Sequence, residues 1–305
     1  MHASRFLMTY CLFPVTFFAA MLFAYNAEKQ GMNGAIIVVA AGLGVIFIIS
    51  VFERIHPKHR RWNKSHNDVK TDLLHLLVSQ IMLPPAVDAG IKAIMLLVAL
   101  KVSAFLGVDI WPVHWPVLMQ LAMALLISQF GEYWVHRSMH EVPFLWRFHS
   151  VHHSPQRLYW LNAARFHPID TAAGNAVALA PLLLLGAPDN ILILFSVWVA
   201  IHGVFQHCNI DIKLGPLNYL FSQAELHRWH HSLKLEEANS NYGNNIIFWD
   251  IVFGTMYYPR DKEASEDIGL ANLNNFPQTY LKQLMVPFRW RAVNHSIADN
   301  SEQNL

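Results

Sequence analysis

Histidine is the side chain this sequence supplies in both the number and the spacing that chemistry requires. From Glu132 to Pro155 the chain reads EYWVHRSMHEVPFLWRFHSVHHSP, which places His136, His140, His149, His152 and His153 within eighteen residues. A second stretch, ELHRWHHS, repeats the pattern with His227, His230 and His231. On a helix, positions i, i+3 and i+4 share a face about 5 to 6 Å apart, so each cluster can aim two or three imidazoles at one point. That is the geometry of a metal site. A lone HxxxH pair is more often solvated or hydrogen-bonded, and 18 histidines in 305 residues give some pairs by chance. Two copies of HxxHH beside an HxxxH exceed what chance provides.

Neutral imidazole suits zinc, copper, iron and nickel, so ligand type alone does not choose the ion. Number says more. Structural zinc takes four ligands and catalytic zinc three plus water, so eight or nine histidines imply two ions, each keeping an open position. The two cysteines, Cys11 and Cys208, can form neither a disulfide framework nor a CxxC site. A zinc hydrolase would pair a metal-bound hydroxide with a glutamate base, and no HExxH occurs. Two redox-active irons at a bilayer surface point instead to activation of O2 against an unactivated C–H bond of a lipid.

The elements that must carry these residues look membranous. The chain is 54% hydrophobic and 14% charged, against roughly 25% charged for a soluble domain. A net charge of +1 gives no field to recruit nucleic acid. Phe6 to Tyr25 and Ala35 to Phe52 are each apolar and close to the length that crosses about 30 Å of hydrocarbon, forming a hairpin. No small-residue cleavage site follows the first run, so it reads as a retained anchor. The basic loop 53–70, ERIHPKHRRWNKSHNDVK, is expected on the cytoplasmic side with the N-terminus. His56, His59 and His66 are expected to be solvated there.

Residues 71 to 107, broken by Pro84-Pro85, Asp88 and Lys92, form one kinked helix or two shorter segments. Gly107 to Pro116, with Trp111 and Trp115, resembles an interfacial aromatic belt. Val117 to Phe130 then returns to the cytoplasmic side and leads directly into His136. Glu132, one turn before His136, could accept the second ring N–H of a ligating histidine or be an ordinary interfacial charge. Pro143 interrupts the helix, which resumes over Phe144 to His153 and ends at Ser154-Pro155. Ile169 to Gly186 and Asn190 to Phe205 form a second apolar hairpin, which must return to the same face to bring His207 and the last cluster beside the first. The segment NSNYGNNIIFWDIVFGTMYYP is expected to pack under the site.

The expected organisation is therefore transmembrane helices over 1–130, a catalytic region over 131–259 including the hairpin at 169–206, and a polar tail over 260–305. The last dozen residues, ending ADNSEQNL, should be disordered.

At these motifs the chain resembles the fatty acid hydroxylase and sterol desaturase superfamily of membrane di-iron oxygenases. The resemblance covers roughly Gly131 to Pro259 and rests on HRSMH, LWRFHSVHHS, RFHP, the LGPL segment after His207, ELHRWHH and NYGNNIIFWDIVFGT. Within the superfamily the chain is similar to bacterial relatives of alkylglycerol monooxygenase. The resemblance implies an all-α integral membrane protein whose cytoplasmic helical cap holds two histidine-ligated iron ions, placed at a bacterial inner membrane. The implied ligands are His136, His140, His149, His152, His153, His227, His230 and His231, with His207 matching an isolated histidine ahead of the last motif. The implied reaction uses O2 and an external electron donor, cytochrome b5-like or ferredoxin-like, to hydroxylate or desaturate a lipid chain.

His202 is expected to pack, and His167 to cap a helix or line the site. Asn241 and Asp250 are expected to hold the last cluster by hydrogen bonds, which makes Asn241 with Glu132 a candidate for a catalytic role. A histidine-rich transporter or sensor is the rival from another class. It would place ionisable groups within the spans, where only Asp88, Lys92 and Lys101 are candidates.

Overall fold

Long apolar runs, punctuated by proline and capped by small polar residues, become helices. The computed structural model describes residues 3–106, 110–271, 273 and 276–295, and among these the ordered elements are helical, with three isolated β-bridges and no strand. Helix α1 spans Ala3–Tyr10 and α2 Leu12–Lys29. Asn33 caps α3, Gly34–Ile55, through Oδ1, which accepts from the Ala35 and Ile36 amides. Helix α4, Val69–Leu74, continues into a π-helical stretch, His75–Met82, before Pro84 opens α5, Pro84–Leu106. The segment of undecided path is thus two pieces. Helix α6 spans Val117–Glu141, and Pro143 starts α7, Pro143–His153. Pro168 starts α8, Pro168–Leu184, followed by α9, Asp189–His207. At a first helical position the missing proline N–H costs nothing. Short helices follow: α10, Ala224–His230; α11, Leu235–Ala238; α12, Phe248–Phe253; and α13, Tyr280–Leu284.

Helix α3 shows what solvent this fold is built for. Ile37, Ala41, Val45 and Ile49, each four residues apart, form a buried stripe, while Leu43 and Phe47 on the other faces are 61% and 70% exposed. An apolar helix with apolar residues on its exposed side is matched to lipid, not water. Helices α3 and α9 are long and apolar enough to cross a membrane, and α1 with α2 makes a third span if the 54° bend between them is one crossing. Helix α8, interrupted by Pro181, is shorter than a span. Helix α6 packs closely on α8, where a Cβ on Gly131 would lie 3.0 Å from the Val177 carbonyl oxygen.

The basic loop does not behave as a solvated connection. Trp62 is fully buried and donates from Nε1 to the Glu266 carbonyl at 3.0 Å. His56 is half-buried and shares a hydrogen with Thr9, and His59 lies 3.2 Å from Glu266; only His66 of the three is exposed. The cause is a set of long-range acceptors that the local charge pattern does not reveal. Asp68 accepts from Arg157 Nε and Nη2 at 2.6 and 2.8 Å, and Arg157 also donates to the Trp62 carbonyl. Asp72 accepts from Arg165 Nε at 2.5 Å and from the Tyr159 hydroxyl at 2.6 Å. Glu53, at the end of α3, accepts from the Trp160 and Asn209 amides. Residues 53–72 are thus a base plate for segment 157–167.

Two further expectations change. Trp111 is buried and donates to Gln120 Oε1, so of the two belt tryptophans only Trp115 is exposed. The polar tail is docked over much of its described length: Leu273, Phe276 and Val286 pack on Val151, and Gln283 hydrogen-bonds His75. Residues 107–109 and 296–305, and the side chains of Asp88 and Lys92, lie outside the described residues.

Asp68→Asn leaves the buried Arg157 guanidinium without its counter-charge, a loss of about 3–5 kcal/mol for a pair of this kind. Thermal unfolding in detergent should show a clearly lowered midpoint, and an unchanged midpoint would mean that the base plate does not depend on this pair.

Candidate metal centre

The histidines gather where the C-terminal turns of α6 and α9 meet α7. Helix α6 presents His136 and His140 from its last turns, α7 presents His149, His152 and His153, and α9 ends on His207. Helix α10 and the residue after it present His227, His230 and His231. All nine expected histidines come together, in two groups. One holds His136, His140, His149, His153 and His230; the other holds His152, His207, His227 and His231. Within each group one ring nitrogen from every histidine lies within 4.8 Å of those of the others. Each HxxHH motif is split between the groups, so neither serves a single point. His153 and His231 stack at 4.4 Å across the shared wall.

The tautomers follow from what lies outside. His136 Nδ1 donates to the Tyr242 carbonyl at 2.6 Å, and His149 Nδ1 to Asp170 at 2.7 Å. His152 Nδ1 donates to the Arg165 carbonyl and His207 Nδ1 to Asn162 Oδ1. His230 Nδ1 donates to the Ser240 carbonyl and His140 Nδ1 to Asn239 Oδ1. Because carbonyl and carboxylate oxygens only accept, the hydrogen sits on Nδ1 and a lone pair is left on Nε2. Yet Nε2 of His136 lies 3.0 Å from Nε2 of His149, and Nε2 of His152 lies 3.3 Å from Nε2 of His207. Two lone pairs facing each other repel unless a cation stands near both. For metal–nitrogen bonds of about 2.0–2.1 Å, two ligands at ordinary angles stand roughly 2.9–3.4 Å apart. The residues therefore fit a pair of metal ions.

Other observations agree. Nε2 of His140, His153 and His230 and Nδ1 of His227 and His231 are buried without a hydrogen-bond partner. Burial, then the neighbouring imidazoles, pushes His152, His153, His227, His230 and His231 well below the ordinary histidine range. They are neutral, as ligands must be. Among the described residues no carboxylate enters either group.

The other expected residues lie around the two groups. Glu132 accepts from Gln129 and Asn244 and touches no histidine, because its position on α6 turns it toward the loop at 244. The carboxylate that does orient a histidine is Asp170, in the first turn of α8, which sequence reading missed. Asn241, at φ +52°, bridges the Leu226 and Tyr257 carbonyls and accepts the Tyr257 amide, bracing α10 from below. Asp250 accepts the Tyr242 and Gly243 amides and so presents the Tyr242 carbonyl to His136. A Cβ at Gly243 would collide with the Ile246 carbonyl. His167 caps α8 by accepting the Ile169 amide, and His202 packs among Phe13, Phe17 and Trp198.

An all-helical, lipid-matched scaffold with a buried double histidine cluster defines a class of membrane metalloprotein. The profile of the fatty acid hydroxylase family matches residues 121–255. Ornithine lipid hydroxylase OlsE of Rhizobium tropici is 36% identical over 279 residues, covering 91% of this chain and 83% of that protein. The alkylglycerol monooxygenase of Danio rerio is 30% identical over 173 residues, 55% of this chain and 37% of that protein. Methylsterol monooxygenase 1 of Rattus norvegicus is 29% identical over 151 residues, covering 47% and 49%. No solved structure matches. The chain belongs to the fatty acid hydroxylase family.

Asp170→Asn should lower metal retention about 10–100-fold through loss of the His149 orienting bond, read as metal content after dialysis against a chelator. Glu132→Gln should retain metal like the parent. Equal retention in both variants would remove Asp170 from the site.

Proposed function

We propose that the chain is a membrane-bound di-iron monooxygenase that hydroxylates a C–H bond of a membrane lipid, using O2 and electrons from an external donor. What carries the reading is the set of facing lone pairs in two buried, carboxylate-free histidine groups, in a family whose relatives are named hydroxylases and monooxygenases. His136, His140, His149, His153 and His230 would hold one ion, and His152, His207, His227 and His231 the other. Bound irons supply the reduction of O2 and the oxidation of the C–H bond.

The chain's own residues supply position and dryness. Asp170, Asn162 and the Tyr242, Ser240 and Arg165 carbonyls keep ring hydrogens on the outer nitrogens, so the inner ones stay free to ligate. Phe166 stacks on His152 at 3.9 Å and Trp146 lies against His140 and His153, excluding water. His140 is the one ligand candidate that is half-buried, and exposed Trp134 and Phe144 flank it in the chain, which favours approach of an apolar chain from that side. Similarity to OlsE over 91% of the chain favours an ornithine-type or other amino-acid lipid over an alkylglycerol or sterol. The excess of Lys and Arg in the loop 53–70 favours the cytoplasmic face for the centre.

Protein purified in detergent should carry two irons and, with an added reductase and electron carrier, consume O2 in the presence of a lipid extract. Lipid mass spectrometry of cells with and without the chain should show a species heavier by one oxygen atom. Loss of two hydrogens instead would make it a desaturase, and one metal per chain or no O2 uptake would end the oxygenase reading. His230→Ala should abolish product while membrane insertion persists.

A further inference from the structure

On the outer face of α10, away from the histidine groups, lies a recess of about 370 Å³ lined on several sides by cations. Of its two carboxylates, Glu263 is paired with lysines and Glu225 is hydrogen-bonded by neutral donors. Glu263 takes Lys58 at 2.8 Å and Lys213 at 3.3 Å, and Lys58 also reaches Asp211. Glu225 accepts the Leu214 amide, Asn218 and the Tyr258 hydroxyl. Three cations of the lining have no carboxylate partner among the described residues: Arg228, Arg260 and Lys262.

Arg228 is the telling one. It is 3% exposed, donates from Nη2 only to the neutral carbonyls of Cys208 and Ile210, and its Nε is buried with no partner. Guanidinium stays charged at any ordinary pH, and a buried charge without a counter-charge is rare in a folded protein. The recess that Arg228 lines carries five cationic side chains against two carboxylates, Glu225 and Glu263. We infer that this recess binds an oxyanion, a phosphate or carboxylate group, in contact with Arg228, Arg260 and Lys262.

The setting favours a lipid headgroup as its source. Tyr10, at the end of α1, lines the recess, and α1 exposes Phe6, Leu7 and Tyr10 while bending 54° from α2. A short helix with apolar side chains exposed beside a cationic recess suits the membrane interface, where anionic headgroups attract nearby basic side chains. Occupation would also pin α10, since Arg228 lies between His227 and His230 and ties that helix to the chain following His207. The site is thus a headgroup clamp behind the ligand helix.

The test is binding to the metal-loaded protein in uncharged detergent, so it stands apart from whether the centre oxidises lipid. Short-chain phosphatidylglycerol should raise the unfolding midpoint saturably, phosphatidylcholine of the same chains should not, and millimolar inorganic phosphate should compete. The double variant Arg260→Ala with Lys262→Ala, which leaves Arg228 in place, should weaken phosphatidylglycerol binding by at least about tenfold and keep the unliganded midpoint. Equal stabilisation by phosphatidylcholine, or unaltered binding by the double variant, would overturn the site. A full shift from phosphate alone, with nothing added by phosphatidylglycerol, would overturn the lipid source and leave a soluble oxyanion as occupant.

Discussion

Everything in this fold answers to the repulsion between lone pairs held in a buried volume. Three of the nine clustered histidines, His140, His153 and His230, carry a buried Nε2 with no hydrogen-bond partner, and each such group costs about 1–3 kcal/mol. Together that is on the order of 3–9 kcal/mol, comparable with the whole net stability of an ordinary domain. A chain does not carry that deficit for packing alone, because apolar residues of similar size would fill the same space without it. A bound cation reverses the sign. The cluster is therefore intelligible as a ligand set and costly as anything else.

Keeping the lone pairs inward is a task spread over the whole chain. The acceptors that fix ring hydrogens come from Asn162, Arg165, Asp170, Asn239, Ser240 and Tyr242, none of them within the three clusters that supply the ligand candidates. Each acceptor is held in turn. The Arg165 carbonyl is placed because its side chain is clamped by Asp72, and Asn162 by its bond to the Arg157 carbonyl, with Arg157 itself clamped by Asp68. The Tyr242 carbonyl is placed by Asp250 and by the absence of a Cβ at Gly243. The basic loop, the segment at 157–167 and the aromatic loop after 240 thus act as one support with the histidines at its centre.

The histidines were legible in the sequence because i, i+3 and i+4 spacing survives into any helix. Helix α6 was legible for the same reason, an apolar run that continues unbroken into HRSMH. The partition of each HxxHH motif between two groups was not, since it depends on how α7 and α10 are rotated against each other, and spacing is silent about rotation. Glu132, one turn from His136, reads equally as a carboxylate orienting a histidine or an ordinary interfacial charge, whereas Asp170 does the orienting from 21 residues beyond His149. Nearness in sequence is a poor guide to a partner supplied by another helix. The loop 53–70 misled in the same way: its charge pattern reads as solvated, but Asp68 within it and Asp72 just after it are paired with Arg157 and Arg165, some 90 residues later.

The two faces of the centre differ in a way that bears on what each can receive. On the side of His140, Trp134 and Phe144 present apolar rings to the outside, and Phe248, Ile251 and Val252 of α12 add exposed apolar surface on a neighbouring element. Behind α10 the surface is instead cationic, with a buried guanidinium at its floor. An acyl chain gains by burial against the first and an anionic group by charge at the second, so the two cannot be exchanged. Helix α10 is the partition between them, with His227, His230 and His231 turned to one side and Arg228 to the other. Any force that shifts this short helix must act on both sides together, which makes its position the quantity that the surrounding structure has to hold.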